Sequence, residues 1–168
     1  MRTRAIALSL LAATIAVLLQ TTLFAQVRLF DVAPDLVMLT VIAVARRLDA
    51  EPAVLLGFTS GLAVDLLGSS PLGLWALVLT LIAYATVRTR DRFDINIVAT
   101  GIAVALLSLL GVALVVVIGT LFGEASFRDP NVFRKILLVP VYNLLLGMVA
   151  LPLVTLVVAG RRRRESLL

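Results

Sequence analysis

Six apolar blocks, at residues 5–25, 34–45, 53–67, 71–87, 97–122 and 136–159, take up most of the 168 residues, and the longest stretch between them, 123–135, is 13 residues. No soluble domain fits in a gap of that size. Hydrophobic residues make up 61% of the chain and its mean hydropathy is +1.12, whereas a soluble domain carries roughly 45–50% apolar residues. The chain therefore reads as one all-α integral membrane domain of six transmembrane helices, residues 1–168.

A single helix needs about 20 residues to cross a hydrocarbon core of roughly 30 Å. Blocks one, five and six meet that length. Block one has no small-x-small cleavage site after it and is expected to be a retained helix. Blocks two and three, with 12 and 15 residues, would reach only about 18 and 22 Å at 1.5 Å per residue. Three arrangements accommodate them: extension by flanking residues, a re-entrant pair, or shelter inside the bundle away from lipid.

Charge distribution favours six crossings. In that topology one side holds Arg2, Arg4, Arg46, Arg47, Arg88, Arg90, Arg92 and Arg161 to Arg164, and the other holds only Arg28, Arg128, Arg134 and Lys135. Eleven basic residues against four place both termini in the cytoplasm. The net charge of +5 thus describes topology and does not point to nucleic acid. Arg161, Arg162, Arg163 and Arg164 close the last block as a topology anchor suited to anionic lipid, the alternative being a specific contact with a partner protein.

The chain has no Cys and no His, which removes disulfides, thiolate or imidazole metal sites and the usual nucleophile and base pairs. Asp65 is the one carboxylate well within an apolar block, so a paired-carboxylate protease lacks its second acid. Lys135 has no serine motif near it, and no acids cluster for a metal-dependent transferase. The expected chain is not an enzyme and carries no cofactor.

The most informative stretch is Gly57-Phe58-Thr59-Ser60-Gly61-Leu62-Ala63-Val64-Asp65-Leu66-Leu67-Gly68. Gly57, Gly61 and Asp65 are four residues apart and share one helix face, with Gly68 near the same line. Small residues at this spacing let another helix backbone approach closely. Asp65 either accepts hydrogen bonds from the following turn or meets a substrate, proton or partner helix. Gly68-Ser69-Ser70-Pro71 reads as a tight turn with Ser70 placed to cap the fourth helix, so blocks three and four form a hairpin. Asp35, beside Pro34, is expected as a solvated acid at a helix N-terminus. Gly119 and Gly123 form a second small-residue pair, and Asn143, four residues before Gly147, is expected to hydrogen-bond across helices or to line a cavity.

The run from Gly57 to Ala85, GFTSGLAVDLLGSSPLGLWALVLTLIAYA, with Pro34-Asp35-Leu36 before it, resembles the rod shape-determining protein MreD family. The residues that carry the resemblance are Gly57, Phe58, Gly61, Asp65, Gly68, Ser69, Leu72 and Gly73, with Pro34 beside them. It implies a non-catalytic protein of the bacterial cytoplasmic membrane, with a fold similar to the substrate-binding subunit of energy-coupling-factor transporters. It also implies a membrane partner, MreC, and through it MreB, a RodA-type glycosyltransferase and a class B penicillin-binding transpeptidase, in lateral peptidoglycan synthesis and rod shape. Gly57, Gly61, Asp65, Gly68, Pro71 and Gly73 are then the candidates for helix packing or partner contact, followed by Pro34, Asp35 and Asn143.

The alternative is a small-molecule-binding subunit of a transporter, which needs a pocket lined by several polar groups. Gln20, Thr59, Asp65, Thr80 and Asn143 are the few candidates for such a lining.

Overall fold

The computed structural model describes residues 2–22, 32–93, 96–124 and 130–159. Among the described residues the chain forms six α-helices: α1 (Arg2–Thr22), α2 (Leu36–Ala45), α3 (Ala50–Leu67), α4 (Leu74–Phe93), α5 (Ile97–Leu121) and α6 (Val132–Ala159). Two of them, α3 and α5, are long and apolar enough to cross a membrane. Residues 161–164, the basic run, lie outside the described residues.

α2 is the axis of the bundle. It packs against each of the other five helices, and eight of its ten residues are buried. Met38, Val41, Ile42 and Ala45 sit in one apolar core with Val78, Leu79 and Ile82 of α4 and Val104 and Leu107 of α5. Ten residues reach only about 15 Å. A helix this short is sustained because the surrounding helices, not lipid, cover its backbone. Of the arrangements open for block two, shelter inside the bundle is the one this packing matches.

Block three gains length at its start. Ala50, Glu51 and Pro52 join α3, where a first-turn proline removes only an amide that no carbonyl of the helix would have met. α4 departs from its apolar block at both ends. It runs on through Arg88, Arg90 and Arg92 to Phe93, since arginine is a good helix former and hydropathy marks the apolar span, not the helix end. It starts at Leu74, three residues after Pro71. Gly73, at φ +97°, completes a turn closed by Leu74 N donating to Pro71 O at 3.1 Å, a geometry that favours glycine at that position.

The Gly119 and Gly123 pair resolves into two roles. Gly119 is buried in α5. Gly123 has φ +87°, and Glu124 N donates to Gly119 O at 2.9 Å while Gly123 N donates to Thr120 O at 3.1 Å. That is a Schellman stop, in which glycine relieves a left-handed backbone. Gly123 therefore terminates α5, and among the described residues a Cβ added there would meet nothing within 4 Å.

Candidate helix-packing and capping site

Among the described residues α3 and α4 form the most extensive helix pair, and the small-residue face makes their contact. A Cβ on Gly57 would overlap the carbonyl of Leu79, and one on Gly61 would overlap the carbonyl of Trp75 and lie 2.5 Å from the Ala76 Cα. Backbone therefore lies directly on backbone. One turn on, the face ends at Asp65, which is 4% exposed.

Asp65 is saturated by the start of α4. Its Oδ1 accepts from Trp75 N at 3.0 Å and from Ser70 Oγ at 3.1 Å, and its Oδ2 accepts from Gly73 N at 3.0 Å and Ala76 N at 3.1 Å. With Leu74 N bonded to Pro71 O, all four amides that the first turn of a helix leaves unpaired are satisfied. The carboxylate also sits at the positive end of the α4 dipole. The fourth helix is thus capped by a side chain from the helix before it. Ser70 is not that cap; its hydroxyl donates to Asp65, because the chain needs three more residues to turn before α4 begins.

Of the other candidates, Gly68 ends α3, its amide donating to Val64 O at 2.8 Å, and Pro71 and Gly73 form the connecting turn. Gly57, Gly61, Asp65, Gly68, Pro71 and Gly73 are thus brought together at one hairpin, and the face that could have met a partner helix is occupied by α4 of the same chain.

Pro34 and Asp35 lie apart from it, at the start of α2, and both are buried. Asp35 is a cap but not a solvated one: its Oδ1 accepts from Met38 N at 2.9 Å, and Gln20 of α1 accepts from Val37 N, also at 2.9 Å. Burial follows from the central position of α2, whose N-terminal amides are met by side chains of the chain itself.

The opposite end of α2 is held by residues that the sequence presents only as topological charges. Arg90 Nη1 donates to Leu48 O at 2.7 Å and to Arg46 O at 3.4 Å. Arg46, 8% exposed, donates through Nη2 to Thr100 Oγ1 at 3.2 Å. Positive charge at a helix C-terminus complements its dipole. The available signal was two arginines directly after a block too short to span, and a third at the end of a helix that packs beside it.

Asn143 forms a third polar locus, between α5 and α6. It is fully buried and donates through Nδ2 to Ser108 Oγ at 3.0 Å. Among the described residues its Oδ1 has no hydrogen-bond partner.

The remaining polar side chains in the helices mostly serve their own backbone. Thr59, Ser60, Thr80 and Thr86 each donate to the carbonyl four residues earlier, a local satisfaction available to hydroxyls in helices. Of the five residues considered for a pocket lining, Gln20 and Asp65 cap helices, Thr59 and Thr80 bond within their own helix, and Asn143 bonds to Ser108.

The family model of the rod shape-determining protein MreD matches residues 1–159. The chain belongs to the MreD family. Membership makes it a membrane protein of the rod shape-determining system, and the two long apolar helices fit that setting. Neither a curated protein nor a solved structure matches the chain.

Proposed function

We propose that this MreD-family chain is a non-catalytic scaffold of the bacterial cell-elongation machinery, which binds MreC in the cytoplasmic membrane and supports lateral peptidoglycan synthesis. MreB, a RodA-type glycosyltransferase and a class B penicillin-binding transpeptidase are reached through that contact. The chain crosses the membrane six times, in an arrangement similar to the substrate-binding subunit of energy-coupling-factor transporters, with both termini cytoplasmic.

The observation that carries this reading is the inward use of the polar groups. Asp65, Gln20, Arg46 and Arg90 each bond to another part of the same chain, and Asp35 caps its own helix. A substrate pocket needs polar groups left for the ligand; a scaffold needs a self-sufficient bundle with apolar outer faces. Leu77 and Leu81 of α4, Ile102 and Leu106 of α5, and Leu137 and Leu145 of α6 are such exposed apolar residues.

The contacts of Arg46 with Thr100 and of Arg90 with Leu48 also gather the end of α2, the end of α4 and the start of α5 at one pole. A basic pole of this kind suits the cytoplasmic face.

Affinity capture of the full chain from detergent-solubilised membranes tests the partner: MreC is expected to co-purify, and a folded bait that retains no MreC contradicts the reading. Single-cysteine labelling tests the topology. Impermeant reagent is expected to reach positions 31 and 129 from outside but not 47 or 90, and the reverse pattern overturns six crossings.

A further inference from the structure

The outward face of α4 carries Leu77, Leu81, Tyr84, Arg88 and Arg92, spaced four, three, four and four residues apart and therefore in one stripe. Leu77, Leu81 and Tyr84 are 45%, 41% and 43% exposed, and both arginines are exposed. The stripe thus passes from apolar, through an aromatic with a polar tip, to two cations. That order matches a phospholipid laid along the helix, acyl chain first and headgroup last.

A specific contact sets this stripe apart from a general basic surface. Arg88 Nε donates to Tyr84 Oη at 3.0 Å, and its guanidinium carbon lies 5.1 Å from the centre of the Tyr84 ring. The guanidinium is oriented through Nε and the ring face, which leaves its Nη1 and Nη2 edge, the fork that grips a phosphate with two parallel bonds. Among the described residues no carboxylate pairs with Arg88; Asp91, the acid nearest it in sequence, lies against Arg90 at 3.7 Å.

We propose that Tyr84, Arg88 and Arg92 form a binding site for the headgroup of an anionic phospholipid, with Leu77 and Leu81 along its acyl chain. Arg88 holds the phosphate, and Arg92, one turn further, selects for net negative charge. A zwitterionic headgroup brings its own ammonium toward Arg92 and is disfavoured. This inference rests on the membrane reading above and deepens it by naming a ligand class and a location.

The test is native mass spectrometry of the full chain in detergent, titrated with phosphatidylglycerol or with phosphatidylethanolamine. Phosphatidylglycerol is expected to be retained at lower concentration. Arg88→Gln should weaken that retention about five-fold, the factor corresponding to ~1 kcal/mol for one interfacial arginine. Arg88→Lys and Tyr84→Phe should each give part of that loss, since one keeps charge without the fork and the other keeps the ring without the oxygen that positions it. Arg47→Gln, at an exposed cation outside the stripe, should change nothing.

Equal retention of the two lipids, wild-type retention by Arg88→Gln, or an equal loss in Arg47→Gln would each overturn the proposal. Displacement of the lipid by millimolar inorganic phosphate would show a free-anion site and overturn it as well. All these side chains are exposed, so the variants fold, and gel filtration checks that they do. Binding in detergent has no sidedness, so a failure of the six-crossing topology, read by cysteine labelling, is distinguishable from a failure of this site.

Discussion

The α3–α4 and α5–α6 pairs are both antiparallel helix contacts built with glycine and one amide- or carboxylate-bearing side chain, yet they differ in what the glycine touches. Gly57 and Gly61 lie against the backbone of α4, which has nowhere to move. Gly147 of α6 faces the side-chain ends of Val104 and Leu39, where a Cβ would sit at ordinary contact distances of 3.4 and 3.5 Å. Their polar groups differ in the same sense. Asp65 has both oxygens doubly engaged, whereas among the described residues Asn143 has one bond and an unpaired Oδ1. The first contact is determined by geometry and hydrogen bonding together; the second is held by apolar packing around a polar group that is only half used.

Gly61→Leu should produce the largest loss. The side chain meets the Trp75 and Ala76 backbone, so the cost lies at or above the upper end of the about 1–3 kcal/mol that overpacking usually carries. Folded yield by gel filtration in detergent should fall to a small fraction of wild type. A monodisperse protein at normal yield would show that α3 and α4 do not meet as closely as described.

Next in size is Asp65→Leu, which strands the amides of Gly73, Trp75 and Ala76. An unpaired buried donor costs about 1–3 kcal/mol, so the thermal midpoint should drop well below that of Asp65→Asn, which keeps one acceptor oxygen. Equal midpoints for the two variants would mean that the carboxylate oxygens do not cap α4.

Gly147→Ala sharpens the contrast from the other side. With room for the methyl group, replacing a mid-helix glycine should stabilise by up to about 1 kcal/mol, while the same change at Gly61 should destabilise. A matched loss at both positions would erase the distinction between backbone-facing and side-chain-facing glycines.

Smallest of all is the expected effect of Asn143→Leu. It removes one hydrogen bond together with the unpaired oxygen, and Ser108 can turn its hydroxyl to its own helix, so the net change should stay within about 1 kcal/mol. A loss as large as that of Asp65→Leu would assign Asn143 a role beyond its bond to Ser108.

How much of this was legible in the sequence varied with the range of the interaction. The six helices follow from hydropathy, and the Gly57, Gly61 and Asp65 face follows from four-residue spacing, both of which are local. The start of α4 did not, because the local rule looks for a serine, threonine or aspartate just before the helix, and the acceptor here stands eight to eleven residues upstream on another helix. Nor was the place of α2 visible. Its shortness could be read, but that all five other helices cover it depends on packing that hydropathy does not encode. The burial of Asp35 is hidden from the sequence for the same reason. Arg46 and Arg90 carried a charge signal that fits membrane orientation equally well, and only their contacts with Thr100 and Leu48 reveal them as ties at the end of α2.

The central claim is that the Gly57, Gly61 and Asp65 face is used inside the chain and is not the surface that meets a partner. The most direct test is the amount of MreC captured per folded molecule of Asp65→Asn and Gly61→Ala, set beside the folded yield of each. The account predicts a reduced folded yield with an unchanged ratio of MreC to folded chain. A normal folded yield with MreC lost would place that face on the partner interface and contradict the account.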